Sequence, residues 1–405
     1  MYEHIYRFGE RYTLTPFDDL DDRHRERFRL YVEDKRYCAL LRPVPGVKLT
    51  IKAVNRDLAD FLTLMKTPRL VGEALSQFPE KSGQDRKQFI LQLVLDGVLE
   101  VQHEGTFISG LEAVNKVLLK SDRLSEILPP SGEETRIQYL SKRALYFAIQ
   151  CTSLQPRDIS FLLYNYNRIP VNRRWHTHLP DEPSLRRFLG LREDNSWPGM
   201  PDSVLPHAVR IDDDGQVNPY DQVWQSWRLG NRKKSEDDPS YKIYFSPTID
   251  SLPEVFDIVR TAAAGSEAYA MKIGRTLPSV LRPDKLIVYF PQYPPAREFA
   301  EEIARRLGSF PVHGTPFSCQ VSEETALVTM GVDPPECFGE RYSWRLYVVQ
   351  KLGLAILGAR DYTADPLAHI YSYIRLMGID ADHWRPTEKN WKIDFKLEEQ
   401  GDAEA

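Results

Sequence analysis

Three apolar runs between Tyr241 and Phe290 carry basic residues in places where strand interiors usually exclude them. Lys242 lies in the first run. Lys272 and Arg275 lie in and just after the second, and Arg282 and Lys285 precede the third. Adjacent strands would bring these cations to one surface. Such a surface suits a phosphorylated or otherwise anionic group, because guanidinium forks and compact ammonium groups bind phosphate. A bland reading stands beside this one. A strand lysine is often a solvated guard against edge pairing. Arg282 and Lys285 flank Pro283-Asp284, which also reads as a turn with a surface ion pair.

The cations are a local feature. The chain has 405 residues and a formal net charge of −5, with a pI of about 6.1. That balance disfavours a protein built to coat nucleic acid. A hydrophobic fraction of 42% with 11% aromatic residues supports filled cores, and the length implies two or three domains. The four cysteines, Cys38, Cys151, Cys319 and Cys337, are far apart and form neither a disulfide framework nor a zinc motif. The opening MYEHIYRFGERY lacks the apolar run of a signal peptide. No apolar stretch reaches the roughly 18–20 residues of a membrane span. A cytoplasmic protein without a membrane partner is expected. His176 and His178 lack a nearby third ligand, and no GxGxxG, Walker or GxSxG pattern is present. Neither a metal nor a cofactor is expected.

The elements that must position the cations are readable in outline. Residues 1–36 read as an extension. Val47, Leu49 and Ile51 alternate with polar residues as in a half-buried strand. A helix follows from Asn55 or Arg56 to Met65, a second starts at Thr67-Pro68, and a third covers about Asp85 to Asp96. Val98–Val101 and Thr106–Ile108 form a hairpin around His103-Glu104-Gly105. Residues 37–128 are thus a small winged-helix arrangement. After a linker near Pro129–Gly132, Ile137–Asn165 is helical, and residues 133–240 are expected to join the larger domain. Residues 241–397 mix strands with helices at Pro295–Leu307, Trp344–Leu357 and Asp365–Met377. Residues 398–405 read as a disordered tail. The fold class is α+β: a small winged-helix domain, then a larger domain with a mixed or antiparallel sheet and flanking helices.

Residues 37–101 resemble the PqqD-like precursor-recognition element of RiPP pathways, which make peptides ribosomally and then modify them. The likeness rests on the apolar pair of runs around Pro43–Gly46, the helix Asp57–Met65, Thr67-Pro68, and the helix ending Leu95-Asp96-Gly97-Val98-Leu99. The resemblance implies that a precursor's leader peptide adds a strand beside Val47–Lys52 and packs on the helix Gln84–Asp96. Val47, Leu49, Ile51, Arg86, Phe89, Ile90 and Leu93 are the peptide-binding candidates. A DNA-binding or scaffolding module is the alternative, and the third helix is not strongly basic.

Residues 241–355 resemble the Hop-A effector-like lyases and their phosphothreonine-lyase relatives. The pieces are the Tyr244-Phe245 run, Tyr269–Lys272, Arg282–Phe290, His313–Phe317, Gly331-Val332, and Phe338-Gly339 with arginines behind it. The resemblance implies elimination of phosphate from phosphoserine or phosphothreonine, as in lanthipeptide dehydration. The family's Lys-x-His pair falls on Lys242-Ile243-Tyr244, so a tyrosine stands where the general acid histidine would be. Lys272 is then the candidate base, since burial and neighbouring cations lower a lysine's pKa. Tyr244 is the candidate proton donor, with Lys242 assisting. Arg275, Arg282, Lys285, Arg341 and Arg345 are the phosphate-binding candidates. The implied partners are the precursor peptide, a separate kinase and a cyclase. Two other readings stay open: an inactive peptide-binding scaffold, favoured by the missing histidine, and a winged-helix regulator.

Overall fold

The computed structural model describes residues 3–47, 51–75, 90, 93–113, 116–117, 134–152, 154, 156–207, 218–230, 240–323, 325–334, 342–362 and 366–387. It is an α+β structure. The N-terminal third holds two small antiparallel sheets. One has strands β1 (Ile5–Phe8), β5 (Arg69–Leu70), β6 (Leu99–His103) and β7 (Thr106–Ile108), in the order β5-β1-β6-β7. The other runs β2 (Tyr12–Pro16), β3 (Ala39–Pro43), β4 (Lys52–Val54).

Local chemistry explains several of these elements. Asn55 accepts a hydrogen bond from the Leu58 N–H at 2.9 Å and so caps the helix Arg56–Leu64. That helix buries Leu58, Phe61 and Leu62 on one face. His103 pairs with Thr106 across a two-residue turn. Glu104 and Gly105 both take positive φ there, as a tight turn matched to strand twist requires.

Other expectations change. The segment before residue 36 supplies β1 and β2, so it is part of both sheets and not an appendage. Thr67-Pro68 does not open a helix directly. Arg69 and Leu70 first pair with Tyr6 and Ile5, and the helix starts at Val71. Val47 lies in the turn after Gly46, with its N–H donated to the Val44 carbonyl, and among the described residues that follow, pairing starts at Lys52. Leu49, Arg86 and Phe89 lie outside the described residues.

The larger part is built on a seven-stranded antiparallel sheet. Its strands are β8 (Val204–Pro206), β9 (Trp224–Leu229), β10 (Tyr241–Phe245), β11 (Ala270–Gly274), β12 (Leu286–Phe290), β13 (Cys319–Gln320) and β14 (Val328–Val332). The order is β13-β14-β10-β12-β11-β9-β8. Val204–Pro206 and Trp224–Leu229 therefore belong to this sheet.

Register sorts the side chains by face, because alternate residues point to opposite sides. Ile243, Phe245, Val288, Phe290, Met271, Ile273 and Met330 share one face. The helices Leu252–Ala264 and Tyr293–Leu307 cover it. Phe299 meets Phe290 at 5.1 Å and Phe245 at 6.3 Å between ring centroids, and Phe256 meets Trp227 at 5.8 Å. The opposite face carries Lys242, Tyr244, Ile287, Tyr289, Lys272 and Trp224. The helix Trp344–Tyr362 begins over this second face. A Cβ on Gly331 would lie 2.5 Å from Trp344 Cδ1, so only glycine lets that indole rest on β14.

The small sheets are not detachable from the large one. Tyr6, Leu41, Phe61, Phe245, Trp344 and Trp384 belong to one continuous apolar core. A polar clasp adds to it: Lys52 on β4 ion-pairs with Asp96, and the Tyr373 hydroxyl donates to Asp96 at 3.2 Å. Tyr373 lies on the helix Pro366–Leu376. Removing one member of a buried pair strands the other. Asp96→Ala should therefore lower stability by about 3 kcal/mol in urea unfolding, with much of the loss recovered in Lys52→Met/Asp96→Leu. A double variant no more stable than the single one would show that the clasp is not an isolated pair.

Candidate active site

The second face of the large sheet gathers two lysines across one ring. Lys242 on β10 and Lys272 on β11 flank β12, and each Nζ lies 5.6 Å from the Tyr289 ring centroid. They are almost equally buried, at 8% and 9% exposure. Their partners differ. Lys242 Nζ meets Asp333 Oδ1 at 2.5 Å. Lys272 Nζ faces the rings of Trp224 at 4.1 Å and Tyr220 at 4.7 Å. Among the described residues it forms no ion pair. Burial, then the neighbouring Lys242 charge, push the Lys272 pKa down to about 7. The aromatic faces act in the opposite sense and favour the ammonium form. Near neutral pH, Lys272 is an amine for much of the time.

A buried cluster of arginines lies beside this pair. Asp284, in the turn before β12, accepts Arg282 Nε at 2.8 Å and Arg282 Nη2 at 2.9 Å, one on each oxygen. Arg345, the second residue of the Trp344 helix, approaches the same carboxylate, Nη1 to Oδ2 at 2.9 Å. That contact is off the hydrogen-bonding line, and Nη1 has no hydrogen-bond partner among the described residues. Arg345 is otherwise held by the carbonyls of Pro316 and Tyr164 at 3.2 and 3.1 Å. The Tyr164 ring lies beneath both guanidiniums, 5.2 Å from Arg282 and 4.9 Å from Arg345. Burial alone would raise the Asp284 pKa, but the two guanidiniums hold it well below the usual carboxylate range. Arg282 also lies 5.2 Å from the Trp224 ring that packs on Lys272. The lysine pair and the Arg282 group therefore share one wall.

Tyr244 projects from the same face as the lysines and packs with Trp224 and Ile287. Burial, with Asp333 adding, raises its phenol well above the ordinary value, so it retains its proton.

Two candidates do not join this group. Arg275 follows the end of β11 and turns to Glu182, Nη2 to Oε1 at 3.0 Å, with a second bond to the Asp221 carbonyl. Lys285 is wholly buried and donates to the Pro247 carbonyl at 3.0 Å and His313 Nδ1 at 2.8 Å. His313 Nε2 in turn meets the Asn167 carbonyl at 2.5 Å, which assigns the ring proton to Nε2. Burial lowers Lys285 to about 7, and burial with the adjacent Lys285 lowers His313 to about 3. Lys285 is fully buried at the inner end of this chain, whereas His313 and Asn167 are partly exposed. Arg341 lies outside the described residues. Of the peptide-binding candidates, Ile90 and Leu93 are core residues, whereas Ile51 is exposed just before β4.

Sequence reasoning missed Asp333, Tyr164, Tyr220 and Trp224 as parts of the site. Asp333 follows a strand and has no motif around it. Nothing near His313 in the sequence signals Lys285 as its partner.

No family model and no curated protein matches this chain. Solved structures do. An effector protein from Pseudomonas syringae pv. tomato strain DC3000 has 11% identity and a TM-score of 0.36, covering 61% of this chain and 97% of that one. An effector from Pseudomonas syringae pv. syringae strain 61 has 12% identity and a TM-score of 0.37, covering 62% and 98%. The Chromobacterium violaceum VirA (SpvC) phosphothreonine lyase effector has 14% identity and a TM-score of 0.28, covering 58% and 98%. Similarity this remote fixes no side chain, so the chemistry rests on the distances above.

Lys285 has a measurable consequence. Its folded pKa of about 7 lies below its ordinary value of 10.5, so the unfolded chain binds more protons between those limits. Stability therefore rises with pH across that window. Between pH 7 and 10 the wild type should gain up to about 1.4 kcal/mol per pH unit more than Lys285→Met. Parallel stability–pH curves for the two proteins would mean that Lys285 stays charged in the fold.

Proposed function

We propose that this chain eliminates phosphate from phosphoserine or phosphothreonine within a peptide. The observation that carries the reading is Lys272: a buried strand amine without a carboxylate partner among the described residues, set beside Lys242 and Arg282. The Lys272 amine takes the α-hydrogen. The C–H electron pair becomes the new Cα–Cβ double bond as the Cβ–O bond breaks, and negative charge develops on the carbonyl on the way. Phosphate leaves with the bonding electrons and takes its proton from Tyr244. Lys242 and Arg282 offset the charge on the phosphate oxygens. The product residue is dehydroalanine or dehydrobutyrine.

The substrate in this reading is a RiPP precursor of the lanthipeptide kind, phosphorylated by a separate kinase and passed afterwards to a cyclase. Its leader would add a strand at β4, the terminal strand of the sheet β2-β3-β4. One observation favours a second reading, a protein that binds the phosphorylated peptide without reacting. The buried Tyr244 phenol holds its proton so firmly that it is a poor donor at neutral pH.

Mass spectrometry of a phosphorylated precursor peptide incubated with the protein separates the two. A lyase gives loss of phosphoric acid, at a rate that rises with pH through about 7 as Lys272 deprotonates. Lys272→Ala should slow it by roughly 10²–10⁴-fold, the usual contribution of a general base. Tight binding with the phosphate retained would instead establish the binding protein.

A further inference from the structure

We propose that Asp333 is a positioning residue: it keeps a proton on Lys242 and so leaves Lys272 as the amine that exchanges one. The inference takes the use of Lys272 from the lyase reading, but its test does not depend on catalysis. Two ammonium groups on either side of one tyrosine ring repel each other. Near neutral pH such a pair loses one proton before the other, and the loss belongs to the pair until something breaks the symmetry. Burial does not break it, because the two exposures differ by only one per cent. The Tyr289 ring does not break it, because both nitrogens lie 5.6 Å from its centroid.

Asp333 does. Its Oδ1 lies 2.5 Å from Lys242 Nζ, well inside the range at which an opposite charge favours the charged form. The carboxylate is fixed on two sides. Its backbone N–H donates to the Ser240 carbonyl, just ahead of β10, at 3.0 Å. Oδ1 also accepts the Trp344 N–H at 3.2 Å, at the start of the helix that carries Arg345. Asp333 is thus tied to the strand of Lys242 and to the Arg345 helix.

Other charges face Lys272 as well. Arg282 repels its proton, and Asp284 and, more weakly, Asp333 favour it. Asp284 is the strongest of the groups that favour the Lys272 proton, but it acts on Lys272 and not on the choice that Asp333 makes at Lys242. The Tyr244 and Tyr289 phenols are buried and keep their protons.

The test is competitive acylation of the full chain with acetic anhydride, read by peptide mass spectrometry. Only the unprotonated amine reacts, and equal burial makes the Lys272-to-Lys242 ratio a measure of protonation. In the wild type near neutral pH the ratio should exceed about 10, corresponding to one pKa unit. Asp333→Asn keeps the shape and the acceptor but removes the charge, and should bring the ratio to within about threefold of unity. Asp333→Glu should restore it. Lys242→Met removes the repelling cation and should move the pH midpoint of Lys272 acylation upward. An unchanged ratio in Asp333→Asn, or a wild type in which Lys242 is the more reactive, overturns the proposal. If Asp333→Asn does not fold, an unmoved Lys272 midpoint in Lys242→Met overturns it. Phosphate release measured in parallel keeps the two ideas apart: the expected acylation pattern without elimination removes the lyase reading and leaves this assignment standing.

Discussion

One buried carboxylate organises the polar side of the large sheet. Asp284 takes two hydrogen bonds from Arg282 and the ion pair of Arg345, and both guanidiniums lie over Tyr164. Three parts of the chain meet there: the turn before β12, the start of the Trp344 helix and the end of the helix Pro156–Tyr164. Two cations share one anion, so a positive charge is left over in a buried place. Desolvation makes that excess costly unless an anion arrives or the charge is spread through hydrogen bonds. The carbonyls of Pro316 and Tyr164 supply part of that spread for Arg345.

The two faces of the sheet divide the work. One is a dense apolar layer under two helices, with Phe245, Phe290 and Phe299 in ring contact. It anchors β10, β11 and β12 firmly enough to carry lysines on the other side. That second face is lined with aromatic side chains, so the cations are removed from water without being given equal numbers of carboxylates. The N-terminal sheets extend the same core, and the Lys52–Asp96–Tyr373 clasp joins them to the helix that packs against the one carrying Arg345.

Much of the fold was legible in local patterns. The hairpin around Glu104-Gly105, the helix capped by Asn55, and the amphipathic helix ending at Leu307 all occur where periodicity and turn chemistry place them. These depend on neighbours a few residues away. The role of residues 1–36 was not legible, because β1 and β2 acquire their partners from residues 39–43, 69–70 and 99–101. Thr67-Pro68 misled for the same reason: pairing with β1 overrides a local helix signal.

The sequence by itself determined that basic residues would sit on apolar strands, and strand alternation put Lys242 and Tyr244 on a common face. It also made Arg282-Pro283-Asp284 a local ion pair. Only the tertiary structure decided which cations remain available. Glu182 claims Arg275, His313 and Pro247 enclose Lys285, and Asp333 takes Lys242, while Lys272 meets only rings among the described residues. The reason is physical. A charge is governed by whatever lies within a few ångströms of it, and these neighbours come from residues 28 to 93 positions away.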